Sequence, residues 1–164
     1  MANNDRRFWP FMGVPETMKG LLDPVGYDLA DGCLLEAFWV DRTDSIGNRD
    51  LGPSAVVVVH GSEILKFDCY GELGGHYHVS TPYPRLSRNG LHGRIQMPEK
   101  TVGDQIDRAI FELENNLTYY LQTHPRAKVC NARIDPARLA TVCGQMKAKM
   151  LADEKTYRKR GRRH

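Results

Sequence analysis

No stretch of this sequence approaches the roughly 20 consecutive apolar residues that a membrane-spanning helix needs. The opening MANNDRRFWPFMG also lacks the apolar run of a secretory leader, so a cytoplasmic protein with no membrane partner is the expectation. Cysteine is sparse: Cys33, Cys69, Cys130 and Cys143 form no C-x-x-C pair and no short zinc-type spacing. That excludes a disulfide framework and a cysteine zinc site, and leaves the four as small buried hydrophobes. There is no internal repeat, which excludes a solenoid. Acidic residues are absent from the last ten positions, KTYRKRGRRH, which hold six of the 23 Lys and Arg. The other 17 face all 20 acids, so the body is near −3. A whole-surface attraction to nucleic acid is therefore excluded, and the basic signal belongs to the end of the chain.

What is present fits one globular domain. At 164 residues, with 41% hydrophobic and 26% charged residues, the chain is too balanced for a disordered or fibrous protein and has room for a single core. The first 32 residues read as a loop-rich wrapping segment with a short helix ending before Asp23-Pro24. Phe8, Trp9, Phe11 and Met12 within it are apolar enough to pack on the body or to meet a protein partner. CLLEAFWV (33–40) reads as a strand followed by a long loop, and AVVVVHGSEILKFDCYG as a hairpin around Gly61-Ser62. HYHVS reads as the next strand of an antiparallel meander.

Residues 81–100 carry three prolines and two glycines and read as a basic loop. Thr101 with Asp104 then opens a helix whose stripe is Val102, Ile106, Ala109, Ile110, Leu113, Leu117, Tyr120 and Leu121. Asp135-Pro136 opens another, with Leu139, Val142, Cys143, Met146 and Met150 on its buried face. Strands followed by helices predict an α+β domain over residues 1–154: a small antiparallel β-meander of about four strands with two C-terminal helices packed on one face. Residues 155–164 form a basic C-terminal tail.

One constellation carries chemistry. A Gly61-Ser62 turn pairs His60 with Glu63, Val58 with Leu65 and Val56 with Phe67. A symmetric GELGG connection then sets Asp68 opposite His78, Tyr70 opposite His76 and Lys66 opposite Ser80. Lys66, Asp68, Tyr70, His76, His78 and Ser80 then share the sheet face away from the helices. A carboxylate beside an imidazole fixes its tautomer and raises its basicity, as general acid–base catalysis near neutral pH requires, so Asp68, His76 and His78 are candidate catalytic groups. The same residues are two imidazoles and a carboxylate, a ligand set for a divalent metal. A solvated sheet face with paired charges also fits the pattern. Arg85, Arg88 and Arg94 of the basic loop, with Lys66 and with Lys155, Arg158, Lys159 and Arg160 of the tail, are candidate contacts to an RNA backbone.

The order Phe67-Asp68, glycine-rich turn Gly71 to Gly75, His76-x-His78, then a helix from Thr101 resembles small bacterial toxins of toxin–antitoxin pairs. The resemblance covers about residues 56–115 and implies action on RNA. His78 would then take the proton of a ribose 2′-hydroxyl, His76 would protonate the leaving oxygen, and Lys66 or Arg85 would hold phosphate charge, with no cofactor. A metal centre at His76, His78 and Asp68, and a non-catalytic protein-binding module, are the alternatives.

Overall fold

The computed structural model describes residues 21–43, 47, 49–79 and 94–161. Among these residues, six strands form one antiparallel meander in which each strand pairs with its neighbours in sequence. They are β1 (Leu21–Ala30), β2 (Cys33–Thr43), β3 (Arg49–Val59), β4 (Ser62–Asp68), β5 (His76–Val79) and β6 (Arg94–Gln96). A 3₁₀ turn (Gly71–Leu73) lies between β4 and β5, and three helices follow: α1 (Val102–Gln122), α2 (Ala127–Cys130) and α3 (Pro136–Gly161). The α+β class holds, with six strands in place of about four and a short helix added between the two long ones.

Both long helices begin where capping chemistry places them. The Thr101 side chain accepts from the Asp104 amide at 3.1 Å, and the Asp135 carboxylate accepts from the Ala137 amide at 3.2 Å. Leu139, Val142, Cys143, Met146 and Met150 of α3 are buried, as are Val102, Ile106, Ala109, Leu113, Leu117 and Leu121 of α1. They join Leu35, Ala37, Ala55, Val57, Leu65 and Phe67 in one core on one face of the sheet. A smaller cluster of Phe38, Val40, Val56 and Tyr70 lies on the other face.

Four features depart from the sequence reading. Residues 21–30, expected in the wrapping segment, are the edge strand β1; the register jumps between Leu22 and Val25, and Asp23 has φ 46°. An edge strand tolerates Pro24 because one side of it needs no ladder donor, and the bulge absorbs the irregular pair Asp23-Pro24. The long loop after β2 is shorter than expected, since Arg49 to Leu51 pair with Asp41 to Thr43 and extend the β2–β3 ribbon.

The β3–β4 turn is His60-Gly61, with φ of 46° and 76°, and Val59 pairs with Ser62. Two positive φ values make it a type I′ turn, the mirror form whose twist suits a hairpin. The turn alone would shift the register by two residues, and a bulge at Ile64, between the pair Val58 and Glu63 and the pair Val57 and Leu65, takes one back: Val57 pairs with Leu65 and Ala55 with Phe67, while Val56 and Val58 belong to the face away from the helices. Finally, part of the basic segment is ordered helix. α3 continues through Gly161, and Tyr157 stacks on the fully buried Trp39 with ring centroids 5.4 Å apart.

Candidate functional site

Asp68 ends β4, and its carboxylate, 2% exposed, is the hub of the site. Oδ1 accepts from the Ser54 hydroxyl at 2.7 Å and the Tyr70 hydroxyl at 3.1 Å. Oδ2 faces three nitrogens: Lys66 Nζ at 2.7 Å, His76 Nε2 at 3.3 Å and His78 Nε2 at 3.4 Å. The two imidazoles meet edge to face, with centroids 4.9 Å apart. The ligand atoms of Asp68, His76 and His78 all lie within 4.8 Å of one another.

Each of these positions follows from the ladder. Asp68 pairs with Ser54 on one side and His76 on the other, and Lys66 pairs with His78. The expected partners therefore shift by two residues, with Asp68 opposite His76. A two-residue shift keeps the alternation of faces, so the predicted grouping of Lys66, Asp68, Tyr70, His76 and His78 survives, while Ser80, its sixth member, lies outside the described residues. The reason for the shift is the connection, which spans residues 69–75 and includes the 3₁₀ turn. Gln105 of α1, fully buried, clamps it: its side-chain oxygen accepts from the Gly71 amide at 2.8 Å, and its nitrogen donates to the carbonyls of Gly71 and Glu99. Gly75 lies so close that a Cβ there would sit 2.1 Å from the Gln105 side chain.

The clamped connection also fixes the orientation of His76. His76 Nδ1 lies 2.9 Å from the Gly74 carbonyl, and so donates its proton there. In the neutral ring, Nε2 then presents its lone pair to the cluster. Metal-binding histidines are commonly fixed in this way, by a carbonyl on the nitrogen that does not ligate.

The face is not solvated at this point. Side-chain exposure is 3% at His76 but 18% at His78 and 19% at Lys66, so the site opens to solvent on the His78 and Lys66 side. Burial by itself would raise the pKa of Asp68, but the charge of the Lys66 ammonium, which also donates a hydrogen bond to it, holds it well below the usual carboxylate range. Asp68 is thus an anion at neutral pH. Burial, with the Asp68 charge beside it, pushes the Tyr70 phenol far up, and does the same to the Cys69 thiol. Tyr70 therefore acts as a hydrogen-bond donor. Arg42, which also feels the charge of Asp68, is ion-paired with Asp50 at 2.8 Å.

Sequence reasoning missed Ser54, because the bulge at Ile64, which nothing local announces, flips the face of β3. With His60-Gly61 as the turn and no bulge, Ser54 would pair with Phe67; the bulge brings it opposite Asp68.

The remaining candidates are dispersed. Arg94 is exposed on β6, opposite His78. Arg85, Arg88 and the segment Phe8 to Met12 lie outside the described residues, as does the Arg160 side chain. Lys155 and Lys159 are exposed on the last turns of α3, and Arg158 is ion-paired with Glu154. Tyr157, on that same stretch, packs on Trp39. Trp39 alternates with Phe38, so this end of α3 lies on the sheet face opposite Asp68. Three of the four cysteines are buried, as expected of small hydrophobes.

No helix among the described residues is long and apolar enough to cross a membrane. Compared with known proteins, the chain matches no family model, no curated protein and no solved structure.

Proposed function

We propose that this protein holds one divalent transition-metal ion through Asp68 Oδ2, His76 Nε2 and His78 Nε2, in a centre with room for a further ligand. The carrying observation is the spacing. Charged N–H···O contacts close to about 2.7–2.9 Å, whereas the two imidazole nitrogens stand 3.3 and 3.4 Å from Oδ2. Two ligands of a tetrahedral zinc ion, each about 2.0–2.1 Å from the metal, are about 3.3–3.4 Å apart. Each imidazole nitrogen therefore stands from Oδ2 as one tetrahedral ligand stands from another, and the three ligand atoms lie within 4.8 Å of one another. His76 supports the same reading, because its Nδ1 proton is committed to Gly74 and its Nε2 is left as a donor of electrons. Three protein ligands and an open position, partly exposed at His78, are the pattern of catalytic metal sites; structural ones take four.

The test is calorimetric titration of zinc into protein freed of metal by chelation and dialysis. One equivalent binds, and His78→Ala, at the most exposed ligand, weakens binding by more than tenfold while leaving the circular dichroism spectrum unchanged. No binding heat, together with no rise in melting temperature on adding zinc, iron(II), nickel or manganese, would overturn the proposal.

A second reading is favoured by one observation, the 2.7 Å contact of Lys66 with Asp68. Without a metal, His78 oriented by Asp68 is a general base and Lys66 a phosphate contact, which is the RNA-cleaving chemistry that the likeness to toxins implies. The buried His76 would then position its neighbours. RNA cleavage that persists in EDTA and disappears in His78→Ala would favour this reading over the metal.

A further inference from the structure

We infer that the ligand completing the centre is a dianionic phosphoryl group, held between the metal and the Lys66 ammonium. The inference rests on the metal reading and starts from charge. Without metal, Asp68 and Lys66 form an ion pair, and Arg42 is neutralised by Asp50. Ligating imidazoles are neutral, so a divalent ion brings two positive charges beside an ion pair that otherwise cancels, and exposed Arg94, opposite His78 on β6, adds to the positive charge on the open side. Asp68 cannot answer them, because Oδ1 is held by Ser54 and Tyr70.

Lys66 is the group this disturbs most. Its Nζ and both imidazole nitrogens converge on the same oxygen, Asp68 Oδ2. A metal bound there shares the carboxylate with the ammonium and repels it. The lysine stem is flexible and its head is partly exposed on the open side of the site, beside His78. An anion entering from that side restores the balance by taking an open position on the metal with one oxygen and accepting from Lys66 with another.

The size of the imbalance selects the anion. A phosphate monoester or inorganic phosphate carries about −1.5 to −2 at pH 7, which matches two charges. An internal phosphodiester or a carboxylate supplies one. The centre therefore favours a terminal phosphate over a backbone diester, and binds it only after the metal, since without metal Asp68 already satisfies Lys66.

The experiment is titration of inorganic phosphate into protein loaded with one equivalent of zinc and dialysed, with zinc-free protein, zinc-loaded Lys66→Met, dimethyl phosphate and acetate as comparisons. Phosphate binds the zinc-loaded protein at least tenfold more tightly than the zinc-free protein, and at least tenfold more tightly than dimethyl phosphate or acetate does. Zinc content stays at one equivalent throughout. Lys66→Met loses at least tenfold in phosphate affinity while its zinc affinity holds or rises, because the competing ammonium is gone. Equal phosphate affinity with and without zinc, an unchanged affinity in Lys66→Met, acetate or diester binding as well as phosphate, or phosphate that strips the zinc would each overturn the proposal. If zinc binds and phosphate does not discriminate, the proposal alone fails. If zinc does not bind, the metal reading fails and the proposal with it.

Discussion

Replacing Ser54 by alanine isolates one part of the hub. The hydroxyl is fully buried and donates to Asp68 Oδ1 at 2.7 Å, and the carboxylate is an anion held well below its ordinary pKa. Removing a hydrogen bond to a buried charge costs about 1.5–3 kcal/mol. For a chain of this length each kcal/mol lowers the melting temperature by about 2–4 °C, so Ser54→Ala falls by roughly 3–12 °C in metal-free protein at pH 7. The sign of the pH dependence follows from the depressed pKa. Stabilisation of the carboxylate is complete above the unfolded value near 3.9 and is lost as pH falls through the folded value. The gap between wild type and Ser54→Ala is therefore constant from pH 7 to pH 5 and narrows under strongly acidic conditions. In Asp68→Asn the charge is absent, and adding Ser54→Ala costs less than it does in the wild type. Urea unfolding of the four proteins, followed by circular dichroism, measures this. A Ser54→Ala change within about 0.5 kcal/mol, the range of neutral surface substitutions, or a gap that widens in acid would refute the account of Asp68 as a buried anionic hub.

Three further outcomes follow from the packing. Gly75→Ala places a Cβ against the buried, fully bonded Gln105 amide; it lowers stability by about 1–3 kcal/mol in urea unfolding and weakens zinc binding, since the same connection carries the Gly74 carbonyl that fixes His76. Truncation after Glu154 removes Tyr157 from its stack on Trp39 and from its bond to Asp23, lowering stability by about 2–4 kcal/mol, or roughly 5–15 °C in calorimetry, where a dispensable tail would leave it unchanged. With a thiol reagent in native buffer, Cys130 reacts first, because Cys33, Cys69 and Cys143 are buried and burial pushes the Cys143 thiol up to about 12; mass spectrometry locating the first label on any of those three would contradict this.

The parts of the fold that were legible in the sequence are those with a long or parity-protected pattern. The α1 stripe recurs over five turns between a threonine cap and His124-Pro125, and one competing residue does not alter its phase. Asp68, His76 and His78 were assigned to one face even with the wrong partners, because the error in their pairing was two residues and a strand alternates with period two. The error in β3 was one residue, the net of a two-residue shift at the turn and a one-residue bulge at Ile64. His60 adopts a left-handed conformation that few non-glycine residues take, which hides the turn, but it is the bulge at Ile64, with no local signature, that puts the whole of β3 on the other face with Ser54 on it. β1 and β6 were hidden for a different reason. Their residues include Asp23-Pro24 or follow a stretch rich in proline and glycine, and only the neighbouring strand, absent from any local window, makes them extended. Gln105 was equally invisible: on a helix stripe it reads as a polar interruption, and its purpose depends on backbone groups of Gly71 that are 34 residues away.

The measurement that bears most directly on the metal centre is X-ray absorption at the zinc edge of protein loaded with one equivalent. A first shell of nitrogen and oxygen at about 2.0–2.1 Å, with the outer-shell scattering of two imidazoles that falls to one in His78→Ala, is the predicted result. A shell of water oxygens without imidazole scattering, or sulfur at about 2.3 Å from one of the cysteines, would show that Asp68, His76 and His78 do not hold the metal.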